Sequence, residues 1–171
     1  ERDDPHVSGP ILITGGAGSV GRQLVEKFVE AGDTVRIFDL PQMDFSGLED
    51  NASIDIVKGD ITNADDVARS VEGVDAVLHL AAILPPNSER NRDVTFRVNV
   101  GGTENIIRAL EATNPAAMLV FTSSISTYGD TMSEEPPVTV SHSQSAIDVY
   151  ADSKIEGERI MRESSLTNTV S

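Results

Sequence analysis

Apolar positions along the chain follow two alternating rhythms. Short, nearly unbroken apolar runs occupy residues 10–13, 34–38, 54–58, 76–80 and 118–122, the pattern of strands buried on both faces. Between them the apolar residues recur at intervals of three and four. Leu24, Val25, Phe28 and Val29 follow the first run in this way, and residues 63–71, 93–112 and 149–162 read as further helices. Thr62 or Asn63 stands where the second of these helices needs a cap. Strands alternating with amphipathic helices predict an α/β fold, a doubly wound parallel sheet with helices on both faces. The expected strand order is 3-2-1-4-5, with a ligand crevice at the carboxyl ends of the strands where the order reverses. Residues 85–92 and 125–146 lack either rhythm and carry paired prolines, so they read as loops beside that crevice. There is no internal repeat.

Composition narrows the function classes. The chain has 171 residues, enough for one domain with a real core. It carries 13 basic against 28 acidic residues, a formal net charge of −15. Such a surface repels nucleic acid and anionic membrane, so neither is expected as a partner. The only lysines are Lys27, Lys58 and Lys154. Acidic excess with so few lysines suits a high-salt cytoplasm, with a compensating missing half as the alternative reading. There is no cysteine, His6, His79 and His142 are scattered, and no metal-ligand spacing occurs, so no metal is expected. His79, inside an apolar strand, reads as a satisfied core residue. Residues 1–5 are polar and unlike a signal peptide, and no apolar run is long enough to span a membrane. The expected location is cytoplasmic, and the sequon at Asn51 is therefore weak.

The first strand runs into Thr14, Gly15, Gly16, Ala17, Gly18, Ser19, Val20 and Gly21 and then into a helix. This is the strand, turn and helix context of the dinucleotide fingerprint in a Rossmann-type fold. Glycines let the chain turn sharply, let a pyrophosphate approach the backbone and let the helix pack on the strand. The helix then offers free N–H groups to the phosphates. Asp39 ends the second strand, where a carboxylate can accept hydrogen bonds from the adenosine ribose and repel the extra phosphate of NADP. A nucleotide triphosphatase is excluded, because Gly21, Arg22 and Gln23 lack the Gly-Lys-Ser/Thr ending that holds phosphate and magnesium.

Tyr150 and Lys154 stand four residues apart, on one helix face. A free phenol titrates near ~10 and is a poor base at neutral pH. A neighbouring ammonium favours its anion, so the pair suits removal of a proton from an alcohol. Ser124 follows the fifth strand, where a hydroxyl can bond the substrate oxygen as its charge changes.

Taken together these motifs resemble the extended short-chain dehydrogenase/reductase family, in particular its NAD-dependent epimerase/dehydratase branch. The match runs from about Pro10 to the carboxyl end. It rests on the Thr14 to Gly21 turn, Gly59-Asp60-Ile61 after strand three, and His79-Leu80-Ala81-Ala82 ending strand four. Asn99 with Gly101-Gly102-Thr103, Ser123-Ser124 with Tyr128-Gly129, and the Tyr150/Lys154 pair complete it. The resemblance implies NAD as cofactor. The implied binding residues are Gly15, Ala17, Gly18, Ser19, Val20, Gly21, Asp39, Leu40, Asp60, Ile61, Leu80, Ala81, Ala82, Asn99, Thr122, Tyr150 and Lys154. It implies further that Tyr150 moves the proton, that Lys154 tunes it and holds the nicotinamide ribose, and that Ser124 orients the substrate. Asn99 is either part of a relay supporting Lys154 or an ordinary buried polar group.

The expected function is oxidation at an alcohol carbon of a nucleotide sugar, with a sugar epimerase as the first reading. Ser124, Ile125 and Ser126 fit the epimerase pattern, while Leu84 stands where galactose epimerases often carry lysine. A dehydrogenase or reductase of a sugar, uronic acid or other secondary alcohol is the alternative, and a dinucleotide-sensing module without turnover the third. The family pattern also implies a homodimer. Residues 167–171 read as a sixth strand cut short, so a carboxyl-terminal substrate domain is expected beyond this chain.

Overall fold

A computed structural model describes residues 9–171. The polar residues 1–5 and His6 lie outside the described residues. Six parallel strands form one sheet in the order β3-β2-β1-β4-β5-β6. They are β1 (Ile11–Thr14), β2 (Val35–Asp39), β3 (Ile54–Lys58), β4 (Ala76–His79), β5 (Met118–Phe121) and β6 (Thr169–Val170). The five predicted strands lie within a residue of their expected bounds at the carboxyl ends. The sixth pairs with β5 through Thr169 and Val170 and extends the expected order by one. Thr14 is in register with Phe38 on one side and His79 on the other. The carboxyl ends of β1, β2 and β4 are therefore level, and the crevice opens where the chain leaves β1 in opposite directions.

Side chains alternate across the sheet, and each face carries its own core. Leu12, Phe38, Val77 and Leu119 pack with Val67, Ile106, Leu110 and Met161. These come from the helices α2 (Ala64–Ser70), α4 (Gly102–Thr113) and α5 (Val149–Glu163). Ile11, Ile13, Val35 and Ile37 pack on the other face with Val25 of α1 (Ser19–Ala31). The connection from β2 to β3 adds Phe45 and Leu48 to that second core. Asn63 caps α2, its Oδ1 accepting from the N–H groups of Asp65 at 2.9 Å and Asp66 at 3.3 Å. Every buried side-chain nitrogen and oxygen among the described residues has a hydrogen-bond partner.

One helix departs from its expected form. Residues 93–112 are not a single regular helix: α3 (Arg92–Phe96) passes through a π turn at Arg97–Gly101 into α4. The wider turn lodges an additional residue without ending the helix. It turns Asn99 and Val100 into the interior. The apolar spacing on either side is unaltered, so periodicity alone does not reveal it. The two predicted loops also contain helical turns, at Asn87–Arg90 and Ile125–Tyr128.

Candidate active site

Above the carboxyl ends of β1, β2 and β4 lies a cavity of about 540 Å³. One end is backbone. Gly15 adopts φ +71°, and a Cβ there would stand 3.1 Å from the Ala81 nitrogen. At Gly21 a Cβ would come within 2.4 Å of the Gly15 carbonyl oxygen, so only glycine lets α1 start this close to β1. Gly18 is the N-cap of α1 and supplies no side chain to it. The first turn of the helix, through Ser19, Val20 and Gly21, therefore faces the cavity with N–H groups free for an anion.

Asp39 closes the next wall. Its Oδ2 accepts from the Ala17 N–H at 3.0 Å and its Oδ1 from the Leu40 N–H at 2.9 Å. The carboxylate thus ties the end of β2 to the glycine turn and still presents lone pairs to the cavity. Asp60, whose Oδ1 takes both the N–H and hydroxyl of Thr62 at 2.8 Å, lines the same end with Ile61.

Tyr150, Lys154 and Thr122 stand at the far end, with Leu80, Ala81 and Ala82 between. Lys154 is 3 % exposed. Its Nζ donates to the Thr122 carbonyl at 2.7 Å and lies 4.8 Å from the centre of the Phe121 ring and 5.7 Å from that of Tyr150. Burial lowers its ammonium from 10.5 to about 8. Here the expected electrostatics need correction. In this chain the Tyr150 phenol is raised above its ordinary value, first by burial and then by the nearby Asp148 carboxylate, with the Ser124 hydroxyl acting against them. The Lys154 charge is directed at a carbonyl and a ring face, so it does not by itself make Tyr150 acidic.

Asn99 holds chain segments together. Its Oδ1 accepts from the Ile83 N–H at 2.7 Å, and its Nδ2 donates to the Ile83 carbonyl at 3.1 Å and the Ser153 Oγ at 3.0 Å. Ser153 passes a 2.7 Å bond on to the Tyr150 carbonyl. Asn99 bonds no atom of Lys154. Ser124 caps the turn at Ile125–Tyr128, its Oγ accepting from the Ser126 N–H at 3.2 Å and hydroxyl at 2.9 Å. Its own proton remains available toward the phenol.

His79 is a core residue, 2 % exposed. Thr103 donates its hydroxyl to the Asn99 carbonyl at 2.6 Å, so it accepts the 2.9 Å bond from His79 Nε2. Nε2 therefore carries the proton and Nδ1 accepts from Thr14 at 2.7 Å. The Thr14 oxygen in turn accepts the N–H groups of Leu80 and Ala81, each at 3.1 Å. Burial, with a smaller push from the Lys154 charge, lowers the imidazole to about 3.

Of the expected binding residues, Gly15, Gly18, Ser19, Val20, Gly21, Asp39, Leu40, Asp60, Ile61, Leu80, Ala81, Ala82, Thr122, Tyr150 and Lys154 line the cavity. Ala17 and Asn99 support it from behind. Phe38, Met43, Gly59, Ile83, Leu84 and Val98 line it without having been singled out as binding residues. Phe38, Gly59 and Val98 are chain neighbours of Asp39, Asp60 and Asn99, a signal that could have found them. Met43 lies in a turn with no periodic pattern. Among the described residues no group of three or more acidic, histidine or cysteine side chains could hold a metal ion.

Known proteins share this fold and much of this sequence. Over 158 residues the chain is 32% identical to a 3 beta-hydroxysteroid dehydrogenase/Delta 5-->4-isomerase of Mycobacterium tuberculosis, covering 90% of this chain and 42% of that protein. A short-chain dehydrogenase/reductase superfamily protein from Agrobacterium tumefaciens, solved with bound NAD, is 35% identical at a TM-score of 0.75. The likeness covers 90% of this chain and 44% of that one. The UDP-Glc/GlcNAc 4-epimerase of Campylobacter jejuni superposes at 0.83 with 26% identity, over 94% of this chain and 50% of that one. The chain thus spans half or less of the length of these relatives. The profile of the 3-beta hydroxysteroid dehydrogenase/isomerase family matches residues 12–169, and the chain belongs to that family.

Proposed function

We propose that this chain is the dinucleotide-binding part of an NAD-dependent oxidoreductase that acts on a secondary alcohol. The observation that carries the reading is a single cavity running from the glycine turn past Asp39 to Tyr150 and Lys154. The residues fit NAD: the cradle is left-handed at Gly15 and has no room for a Cβ at Gly21, the start of α1 is uncapped, and Asp39 lines the cavity beside it. Bound NAD would supply the hydride acceptor. Tyr150, once ionised to its phenolate, takes the hydroxyl proton of an alcohol whose carbon would give its hydride to the bound NAD, leaving a ketone, and passes the proton toward solvent. Lys154 holds the Tyr150 end of the site by its bond to the Thr122 carbonyl and would stabilise the phenolate once the site fills. Ser124, whose proton is directed at the Tyr150 phenol, would turn it to the substrate oxygen as the charge there changes. The assignment of Ser124, Tyr150, Lys154 and Asn99 to these roles is part of the proposal.

Two observations favour a dehydrogenase of an apolar ring alcohol over the sugar epimerase expected from the motifs. The wall beyond Ala82 is Ile83, Leu84 and Val98, with Leu84 56% exposed, and the Mycobacterium tuberculosis relative is named for a hydroxysteroid. The epimerase reading with a nucleotide sugar keeps the support of the Campylobacter jejuni likeness. Either reading takes the rest of the substrate pocket from a further domain and allows a homodimer. No helix among the described residues is long and apolar enough to cross a membrane.

The experiment is incubation of the full-length protein with NAD and a panel of 3-hydroxysterols, nucleotide sugars and uronic acids, following nicotinamide absorbance and product identity. Stoichiometric NADH with a sterol supports the proposal. Sugar interconversion without net NADH gives the epimerase. Tight NAD binding with no reaction on any alcohol gives the sensing module.

A further inference from the structure

An α-helix begins with N–H groups that have no partner inside it, and α5 begins one residue before Tyr150. Its own cap, Asp148, serves only part of the need. Asp148 Oδ1 accepts from the Ala151 N–H at 2.6 Å, and the Asp148 carbonyl takes the Asp152 N–H at 3.1 Å as the first rung of the ladder. The Val149 and Tyr150 N–H groups go instead to a side chain some sixty residues upstream. Glu89 accepts them through Oε2 at 2.9 Å and Oε1 at 3.2 Å.

Glu89 is held for this task. It sits on the helical turn Asn87–Arg90, and the buried Ser88 donates its hydroxyl to Oε1 at 2.8 Å. The Ser88 carbonyl accepts from Thr95 at 2.8 Å, which anchors the turn to α3. A second contact joins the same two regions, Arg92 to Asp152 at 2.6 Å. This turn continues directly from Ala81, Ala82, Ile83 and Leu84 of the cavity wall.

We propose that Glu89 is a positioning residue for Tyr150: its carboxylate fixes the helix start from which the phenol projects and joins it to the wall that follows β4. The first turn of a helix is where fraying begins, and Tyr150 is in that turn. With Glu89 in place, the wall and the proton-moving group form one body. The proposal rests on Tyr150 being the proton-transfer residue, but its test does not depend on turnover.

Two conservative variants of the full-length protein separate reach from charge. Glu89→Asp keeps the charge and withdraws it by one methylene from the N–H groups. Glu89→Gln removes the charge and keeps one acceptor oxygen at the same reach, with a donor nitrogen in place of the other. Amide hydrogen exchange at Val149 and Tyr150, and the titration of the 13C-labelled Tyr150 phenol carbon, assigned by its loss in Tyr150→Phe, are the readouts. In Glu89→Asp the two amides should exchange on the order of tenfold faster and the phenol titration should move. In Glu89→Gln one of the two amides keeps its acceptor and should exchange as in the parent, the other should exchange faster, and the phenol should move less than in Glu89→Asp. A phenol that moves in the Gln variant and not in the Asp variant reports charge alone and overturns the proposal. So does faster exchange with an unmoved phenol, which is a helix cap and nothing more, and so does no change in either variant. An enzyme that oxidises none of the tested alcohols would leave this result standing.

Discussion

At the glycine turn the cavity wall is backbone, and at Tyr150 it is side chains brought from distant parts of the chain. Gly15, Gly18 and Gly21 shape the first end through what they lack, and its bond from Ala17 to Asp39 spans 22 residues. The second end depends on Lys154 to Thr122 across 32, Asn99 to Ser153 across 54 and Glu89 to Tyr150 across 61. The difference teaches what each end can do. Backbone N–H groups at a helix start recognise any phosphate of the right size and need little adjustment. Proton transfer needs one phenol held in one place, and that requires support from several elements. His79 bridges the two ends through its neighbours, bonded to Thr14 on one side and on the other to Thr103, whose hydroxyl bonds the Asn99 carbonyl.

The strongest test of this division is Tyr150→Phe. Turnover should fall on the order of 10² to 10⁴-fold, while calorimetric titration shows NAD binding close to that of the unaltered protein. A matching loss of NAD affinity would mean that the two ends are not separable.

The bridge should be visible in acid. An unfolded histidine titrates near 6.5 and the folded His79 at about 3. Between these values the unfolded chain binds a proton that the folded one does not, so stability must fall as the pH falls. The contribution is about 1.4 kcal/mol per pH unit. Urea unfolding at pH values from 7 down to 4, compared with His79→Gln, measures it as the difference in slope. Equal slopes would remove His79 as the bridge.

A smaller effect is expected at Asp39, where charge and tether can be parted. Asp39→Asn keeps one acceptor oxygen, enough for the Ala17 N–H at the expense of that of Leu40, and loses the charge, so NADP binding should improve relative to NAD by about tenfold. Asp39→Ala loses both and should weaken NAD as well. Titration of the two cofactors against each variant decides it, and an unaltered NAD to NADP ratio in Asp39→Asn would show that the carboxylate does not discriminate by charge.

The fold and the first end of the cavity were legible in the sequence because they depend on local rules. Unbroken apolar runs and a period of 3.6 mark strands and helices, and a glycine at each of positions 15, 18 and 21 can be read as a turn before any packing is known. The same holds for Asp39, which ends a strand beside that turn. Tyr150 and Lys154 were legible as a pair, since four residues of helix place them on one face. Their electrostatics were not. Spacing puts the ammonium near the phenol, but burial and the Thr122 carbonyl determine where its charge points, and burial is a property of everything packed around it. The π turn at Arg97–Gly101 was hidden for a similar reason, because Asn99 turns inward to meet Ile83 and Ser153, which the sequence places 16 and 54 residues away. Glu89 stood in a stretch with no periodicity at all, and only the docking of that stretch against α5 gives its carboxylate two N–H groups to hold. Sequence by itself determined the sheet, the glycine cradle and which side chains offer proton chemistry, because those follow from backbone preference and short-range spacing. Tertiary structure alone decided how the side chains are charged, joined and aimed, because hydrogen bonds between distant segments exist only once the chain has closed on itself.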